Sequence, residues 1–580
     1  MPRKVGHLSE GDTTLIRTDE TILGRRMNLG TNQRETHRNN NLLVVGAPGT
    51  GKSRTVIEPN VMQCNSSYVI VEPKGMLRRH LAPGLAAAGY KVHTLDFSEP
   101  RRSDCSWNPL SRATTLRDVK SIAWDLCAVD GITYHDMYWQ EQSSLLLESL
   151  ILGTAELEGY SHDLRGVQRL ASKAYEGTGR GGHLERSECE LDKVMASLGE
   201  DQSDREEIAA AISAAQSRLD SLQGKARKAI AKLASALGER PPQFNDQGFG
   251  SEGTYFTKSR SMFLFPEADV GAATSELMYR ARQMALGRDD TGGPIADDVR
   301  PEVEALVSVY RSIQEARLTL EKAERRKPRR IENEAHSLYL RVSSNPGKTW
   351  ECVLSTLAGV IDQWRDPDLL SMLSDRTDAV DLASIGDRPT ALFVVVSDTN
   401  SSLYPLVGVF MSQLVDALVR RADSTPEGRL KVPVRMILDD FATMRGGSWA
   451  SVDAWANATR SREIWWTVVI QGLGQLAHML GSEKAQSLLA ACDSQVFVGI
   501  PSDSETSKYL HARLIKPRTL DEKCKEGEPS FVLIRGDLPV ITRTYDPDIH
   551  PNRVEFNFEQ MASEPRQEET QEDEGEGQVH

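Results

Sequence analysis

The chain has 580 residues, 39% hydrophobic and 26% charged, a globular balance that excludes a wholly disordered polymer and at roughly 100–200 residues per domain allows two to four domains. Half of its net charge of −14 sits in the last 25 residues, Phe556–His580, where eight acids face one arginine; the body is therefore close to balanced and free to meet partners of either sign. Seven scattered cysteines outside any CxxC or zinc-ligand spacing exclude a disulfide framework, and the absence of an apolar run of 18–20 residues or of a signal-peptide core predicts a cytoplasmic chain without a membrane helix.

In chain order, a basic leader (Arg3, Lys4, Arg17, Arg25, Arg26, Arg34) precedes three short apolar runs, LLVV (Leu42–Val45), YVIV (Tyr68–Val71) and KVHTL (Lys91–Leu95). Segments long enough for crossover helices separate them, so residues 1–128 read as the first part of an α/β domain. From 129 to 346 the pattern turns helical, with Gly/Pro-rich breaks at GTGRGG, RPPQFNDQGFGSEG and GRDDTGGP, which predicts an inserted all-α domain. Two segments there keep a 3-4 apolar spacing: Ile212, Ala215, Leu219, Leu222, Ala226, Ala229, Leu233, and Leu306, Val309, Ile313, Ala316, Leu320, Ala323. They predict either an antiparallel heptad hairpin or two amphipathic helices facing a core. Strand–helix alternation then resumes with TALFVVV (Thr390–Val396), VRMIL (Val434–Leu438), WWTVVI (Trp465–Ile470) and QVFVG (Gln495–Gly499), making 347–555 the second part of the α/β domain. The stretch 556–580, ending QEETQEDEGEGQVH, cannot bury a core and reads as a disordered acidic tail.

The chemistry is concentrated at the ends of these strands. Gly46-Ala47-Pro48-Gly49-Thr50-Gly51-Lys52-Ser53 matches GxxxxGK[ST], directly after an apolar strand and before a helical stretch. Glycines let such a loop curl so that its N–H groups face phosphates at a helix N-terminus. Lys52 is then expected to reach the β- and γ-phosphates and the Ser53 hydroxyl to hold Mg²⁺, with ATP as the nucleotide. MILDDF supplies the partner: Asp439 ends an apolar strand where it can hold the magnesium shell, and Asp440 is positioned to orient an attacking water. Together these features predict a RecA-like P-loop NTPase core. Gln471, at the end of WWTVVIQ, either senses the γ-phosphate or positions water, or it caps its strand by hydrogen bonding. Arg460 and Arg462 are candidates for arginine fingers reaching a neighbouring subunit, though a solvated helix would carry the same charges. The run Arg325, Arg326, Lys327, Arg329, Arg330 suits a phosphate backbone or plain solvation, and Trp449, in RGGSW, is a candidate for an exposed base-stacking platform.

The P-loop followed by RTVIEPNVMQCNSSYVIVEPKG resembles the TraG-like coupling proteins of type IV secretion, in which a strand ending D-P-K-G follows the P-loop helix; here the motif is Glu72-Pro73-Lys74-Gly75. WNPL, YWQEQSSLLLESLI, TALFVVVSDTNSSLYPLVGVFMSQL, MILDDFATM, ATRSREIWWTVVIQGLGQL, CDSQVFVGIPSDSETSKYL and FVLIRGDLPVITRTYDPDIHPN extend the resemblance in order. It implies a homo-hexameric ATPase that takes DNA with bound relaxase to membrane-embedded secretion-channel subunits. It also places nucleotide chemistry on Gly51, Lys52, Ser53, Asp439, Asp440 and Gln471, with a trans-acting arginine at Arg460 or Arg462. Three features depart from the family pattern. Asp440 stands where a glutamate is usual. Only 45 residues precede Gly46, without the usual membrane helices, so docking at the cytoplasmic face of the membrane is expected to come through partners. The heptad segments are not among the motifs that carry the resemblance. Two further readings stay open: an intracellular HerA/FtsK-type DNA translocase, and a weakly hydrolysing ATP-binding recruitment adaptor.

Overall fold

Runs of Val, Ile, Leu and Phe, bounded by Gly, Pro or Asp, become strands whose every residue is inaccessible, as expected of a parallel sheet covered on both faces. The computed structural model describes residues 16–128, 134–175, 189–240, 272–285, 294–326, 331–444, 446–499, 503–513, 529–554 and 556. The chain divides into two compact units, Met1–Met195 with Glu334–His580, and Ala196–Asn333.

In the first unit a hairpin of β1 (Glu20–Gly24) and β2 (Met27–Gly30) precedes the sheet strands. These are β3 (Leu42–Gly46), β4 (Ser67–Pro73), β5 (Lys91–Asp96), β6 (Thr390–Val396), β7 (Val434–Leu438), β8 (Ile464–Ile470), β9 (Ser494–Val498), β10 (Pro529–Ile534) and β11 (Val540–Arg543). Among the described residues they form a nine-stranded sheet in the order β11-β10-β9-β3-β8-β7-β4-β6-β5. The seven strands from β9 to β5 run parallel, and β10 and β11 add an antiparallel edge. β3 pairs with β8 and β9, while β4 sits between β7 and β6, so the early and late strands interleave. The RecA-like α/β core is therefore present, and all seven parallel strands coincide with apolar runs read from the sequence.

The helical region divides differently from the expected insertion of 129–346. Helix Tyr134–Glu156 packs against Leu116–Leu126, Glu334–Ser343 and Gly347–Asp362. It buries Leu146, Leu147, Leu150 and Ile151, and this shared packing keeps these helices within the first unit. The second unit holds helices Gln202–Ala236, Ala272–Ala285 and Arg300–Arg325. The long pair is antiparallel, since Arg326 at one end bonds Glu207 near the start of the other at 2.9 Å. Ala215, Leu219, Ala226 and Leu233 are buried, as are Leu306, Ile313 and Ala316; Ile212, Leu222, Ala229, Val309, Leu320 and Ala323 lie half-buried at the rim. Ile230, Val303, Val307 and Tyr310 widen the apolar stripe, and Ala281 of the third helix joins it, so the seam is part of a three-helix core.

Three expectations need separate mention. Lys327, Arg329 and Arg330 of the basic run, Cys524, and the acidic tail from 557 to 580 lie outside the described residues. At the tail's first position the structure departs from the reading: Phe556 is 2% exposed and seated on Gly84, where a Cβ would come within 2.3 Å of its ring. Trp449 is fully buried rather than open to solvent, because its indole N–H donates to Tyr404 O at 2.8 Å and its ring covers Gly408.

Candidate nucleotide site

The site lies where β3, β8, β7 and β4 end together at their C-terminal edge. The loop after β3 needs its glycines: Gly49 and Gly51 have φ of 79° and 77°, and a Cβ on Gly46 would stand 2.7 Å from Val498 O. Thr50 pins the curl through its hydroxyl to Ala47 O at 2.8 Å. A π-helical turn, Ser53–Ile57, then runs into the α-helix Glu58–Met62. The Glu58 N–H bonds Ser53 O, five residues back, and Pro59 after it has no N–H to offer Thr55 O.

A cleft of about 650 Å³ opens over this loop, lined by Pro48, Gly49, Gly51, Lys52 and Ser53, and by Asp439, Asp440 and Gln471. Gly46, Ala47 and Thr50 shape the loop behind it. Lys52 is 8% exposed, and its ammonium donates to Gly46 O at 2.7 Å and Ala47 O at 3.2 Å. Burial lowers its pKa, opposed by Asp440 and Asp439. The Ser53 hydroxyl donates to Asp439 Oδ2 at 3.0 Å, although one strand, β8, separates β3 from β7. Burial and the neighbouring Asp440 push Asp439 up to about 6. Asp440 takes left-handed backbone, φ 51°, and accepts from Gln471 Nε2 at 3.3 Å. The Gln471 side chain thus reaches from the end of β8 to the carboxylate that follows β7.

Three cleft residues escaped the sequence reading of the site. Glu72, at the end of β4, is 1% exposed and accepts from Leu77 N at 2.7 Å and Arg78 N at 2.6 Å, which ties the strand end to helix Met76–Ala87. Burial above all pushes it up to about 7, and Asp439 adds to the rise. The motif position was visible, but nothing local marked its carboxylate as buried. Pro547 and Arg553 also line the cleft, brought from the far end of the chain by packing that no spacing reveals.

Arg460 and Arg462 are not brought to this cleft. They precede β8, whose seven residues span about 20 Å, so they lie at the opposite rim of the sheet from Gln471. Arg462 grips Asp423 through Nε at 2.7 Å and Nη2 at 3.1 Å, while Arg460 Nε donates to Asn457 O at 3.1 Å.

A glycine-curled loop opening a helix, a buried lysine and a serine–aspartate pair on a parallel sheet define a RecA-like P-loop NTPase. A hydroxyl and a carboxylate converged at 3.0 Å form a hard-oxygen donor set that fits a magnesium ion. The profile of the family described as type IV secretory system conjugative DNA transfer matches residues 10–240 and 297–516, and the chain belongs to that family. The match runs through both heptad helices, which are therefore family segments rather than an addition to them. No curated protein matches the chain. Among solved structures, the bacterial conjugative coupling protein TrwBΔN70, in its trigonal form with sulphate, aligns over 87% of this chain and 86% of that one, at 12% identity and a TM-score of 0.46. TrwB with the non-hydrolysable ATP analogue ADPNP aligns over 88% and 80%, at 14% identity and 0.41. VirB4 of Thermoanaerobacter pseudethanolicus aligns over 89% and 91%, at 10% identity and 0.37.

Proposed function

We propose that the chain hydrolyses ATP and couples the reaction to export of conjugative DNA, with its bound relaxase, through a type IV secretion channel. The observation that carries this is the convergence of Lys52, Ser53, Asp439, Asp440 and Gln471, from three strand ends, in one cleft. In this reading Lys52 leaves its loop carbonyls for the β- and γ-phosphates, and Ser53 and Asp439 hold Mg²⁺, which neutralises phosphate charge. Asp440, steered by Gln471, orients the attacking water as general base. Its carboxylate is one methylene shorter than glutamate, and the left-handed backbone together with the Gln471 bond fixes where it points.

The chain acts in this proposal as a homo-hexamer docked to membrane-embedded channel subunits at the cytoplasmic face; no helix among the described residues is long and apolar enough to cross a membrane. Arg460 or Arg462, on the rim away from the chain's own cleft, serves the neighbouring subunit's nucleotide. The test is steady-state ATP hydrolysis by wild type beside Lys52→Ala, titrated with single- and double-stranded DNA. Lys52-dependent turnover that rises with DNA is expected, and tight ATP binding without turnover under any DNA would overturn the motor reading.

A further inference from the structure

The segment Pro547–Arg553 lies along the P-loop helix and is fastened at both of its ends. At the N-terminal end, Asp548 accepts from Arg54 Nη2 at 3.0 Å and from Arg553 Nε at 2.9 Å, so one carboxylate holds two guanidinium groups. At the C-terminal end, the Asn552 side-chain amide donates to Met62 O at 2.7 Å, and the buried His550 pairs Nε2 with Gln63 Oε1 at 3.1 Å. Asn552 also exchanges bonds with the backbone of Ile16, which fixes the segment from a third side. Flanking these fastenings, Pro547, buried, and Arg553, with 23% of its side chain exposed, form cleft wall on the Arg54 side of the P-loop.

Location decides what that wall would meet. Asp439, Asp440 and Gln471 occupy the side of the loop where a γ-phosphate is processed. Arg54 is the residue after Ser53, on the first helical turn, whose N–H groups face the phosphates nearer the nucleoside. A guanidinium fixed there is a planar donor set suited to a phosphate or ribose oxygen. We infer that Arg553, oriented by Asp548, is a nucleotide-binding residue that contacts the α-phosphate and ribose end of the bound nucleotide. This rests on the cleft being an ATP site. Arg553 acts by contact with the nucleotide, whereas Asp548 is a positioning residue acting through Arg553 and Arg54.

Because ATP and ADP share the nucleoside end, both should depend on Arg553 alike. Calorimetric titration of the full chain with AMP-PNP and with ADP, both with Mg²⁺, tests this in wild type, Arg553→Ala, Arg553→Lys, Asp548→Asn and Lys52→Ala. The expected result is about a tenfold loss of affinity for both nucleotides in Arg553→Ala, partial recovery in Arg553→Lys, and about a threefold loss in Asp548→Asn. Unchanged affinity in Arg553→Ala alongside weakened binding in Lys52→Ala would overturn the inference and leave the ATP site standing. A loss confined to AMP-PNP would also overturn it, by placing Arg553 at the γ-phosphate. No binding by wild type would overturn the ATP reading itself. Should Arg553→Ala not fold, hydrogen exchange of residues 546–553 in wild type decides: protection by ADP supports the contact, and unchanged exchange overturns it.

Discussion

Asp440 combines an uncommon backbone with a side chain held by Gln471, an arrangement an aspartate tolerates better than most residues. Asp440→Asn keeps the shape and the left-handed preference and removes the base, so kcat should fall about 10²-fold or more with nucleotide affinity little changed. Rapid-quench hydrolysis beside a binding titration would separate the two effects. His550 offers a different test. Burial lowers its pKa from 6.5 to about 4, so it is neutral in the fold. Its contribution to stability is present above pH 6.5 and lost as pH falls toward 4, because the unfolded chain takes up the proton first. The full loss amounts to about 3 kcal/mol. Asp439 and Glu72, raised to about 6 and about 7, have the opposite sign: their contribution is present at low pH and lost as pH rises through those values. Comparing His550→Gln with wild type by denaturant titration from pH 7 to 5 should therefore isolate the histidine, with the variant losing less stability on acidification. At this scale the P-loop, Asp439, Asp440 and Gln471 were legible because each ends an apolar run. Arg553 and the buried state of Glu72 were not, since both depend on which distant segment packs over them.

Among the elements, the parallel strands were readable to within a residue or two, because burial on both faces demands near-continuous Val, Ile, Leu and Phe. The antiparallel edge of β10 and β11, although its residues were noted in the family resemblance, was not assigned as strands; Val540–Arg543 is only four residues long, half polar and solvent-exposed at both ends, and it pairs with β10 across the turn through Gly536. The heptad spacing correctly marked two helices that pair, but it could not announce the third helix sharing their core. That packing sets an expected cost. Leu306 is fully buried in the three-helix cluster, so Leu306→Ala should destabilise the second unit by about 2–5 kcal/mol. Hydrogen exchange across Gln202–Ala236 and Arg300–Arg325 would register it, while protection in β3 and β8 should stay as in wild type.

For the whole molecule, the separation of Arg460 from its own cleft makes the proposed ring testable without imaging it. Each chain would supply Lys52 to its own nucleotide and Arg460 to the next, and Arg460 has no carboxylate partner among the described residues. Lys52→Ala and Arg460→Ala proteins should each hydrolyse ATP poorly, yet their mixture should recover part of the wild-type rate, because hybrid rings contain some sites complete in both groups. Failure of the mixture to exceed the average of its parts would remove Arg460 from the neighbour's site.

The interleaving of early and late strands also governs how the protein comes into being. β3, the strand that launches the P-loop, has β8 and β9 as neighbours, so the ribosome must translate about four hundred further residues before either partner exists. At about 5–20 residues per second that interval is roughly 20–80 s, during which apolar strands of the first half lack their final covering. The first half on its own is thus a poor unit for expression, whereas two fragments cut within Ala196–Asn333 and synthesised together carry every strand the sheet requires, and their reassembly into a nucleotide-binding protein would be the natural sign that the sheet closes late.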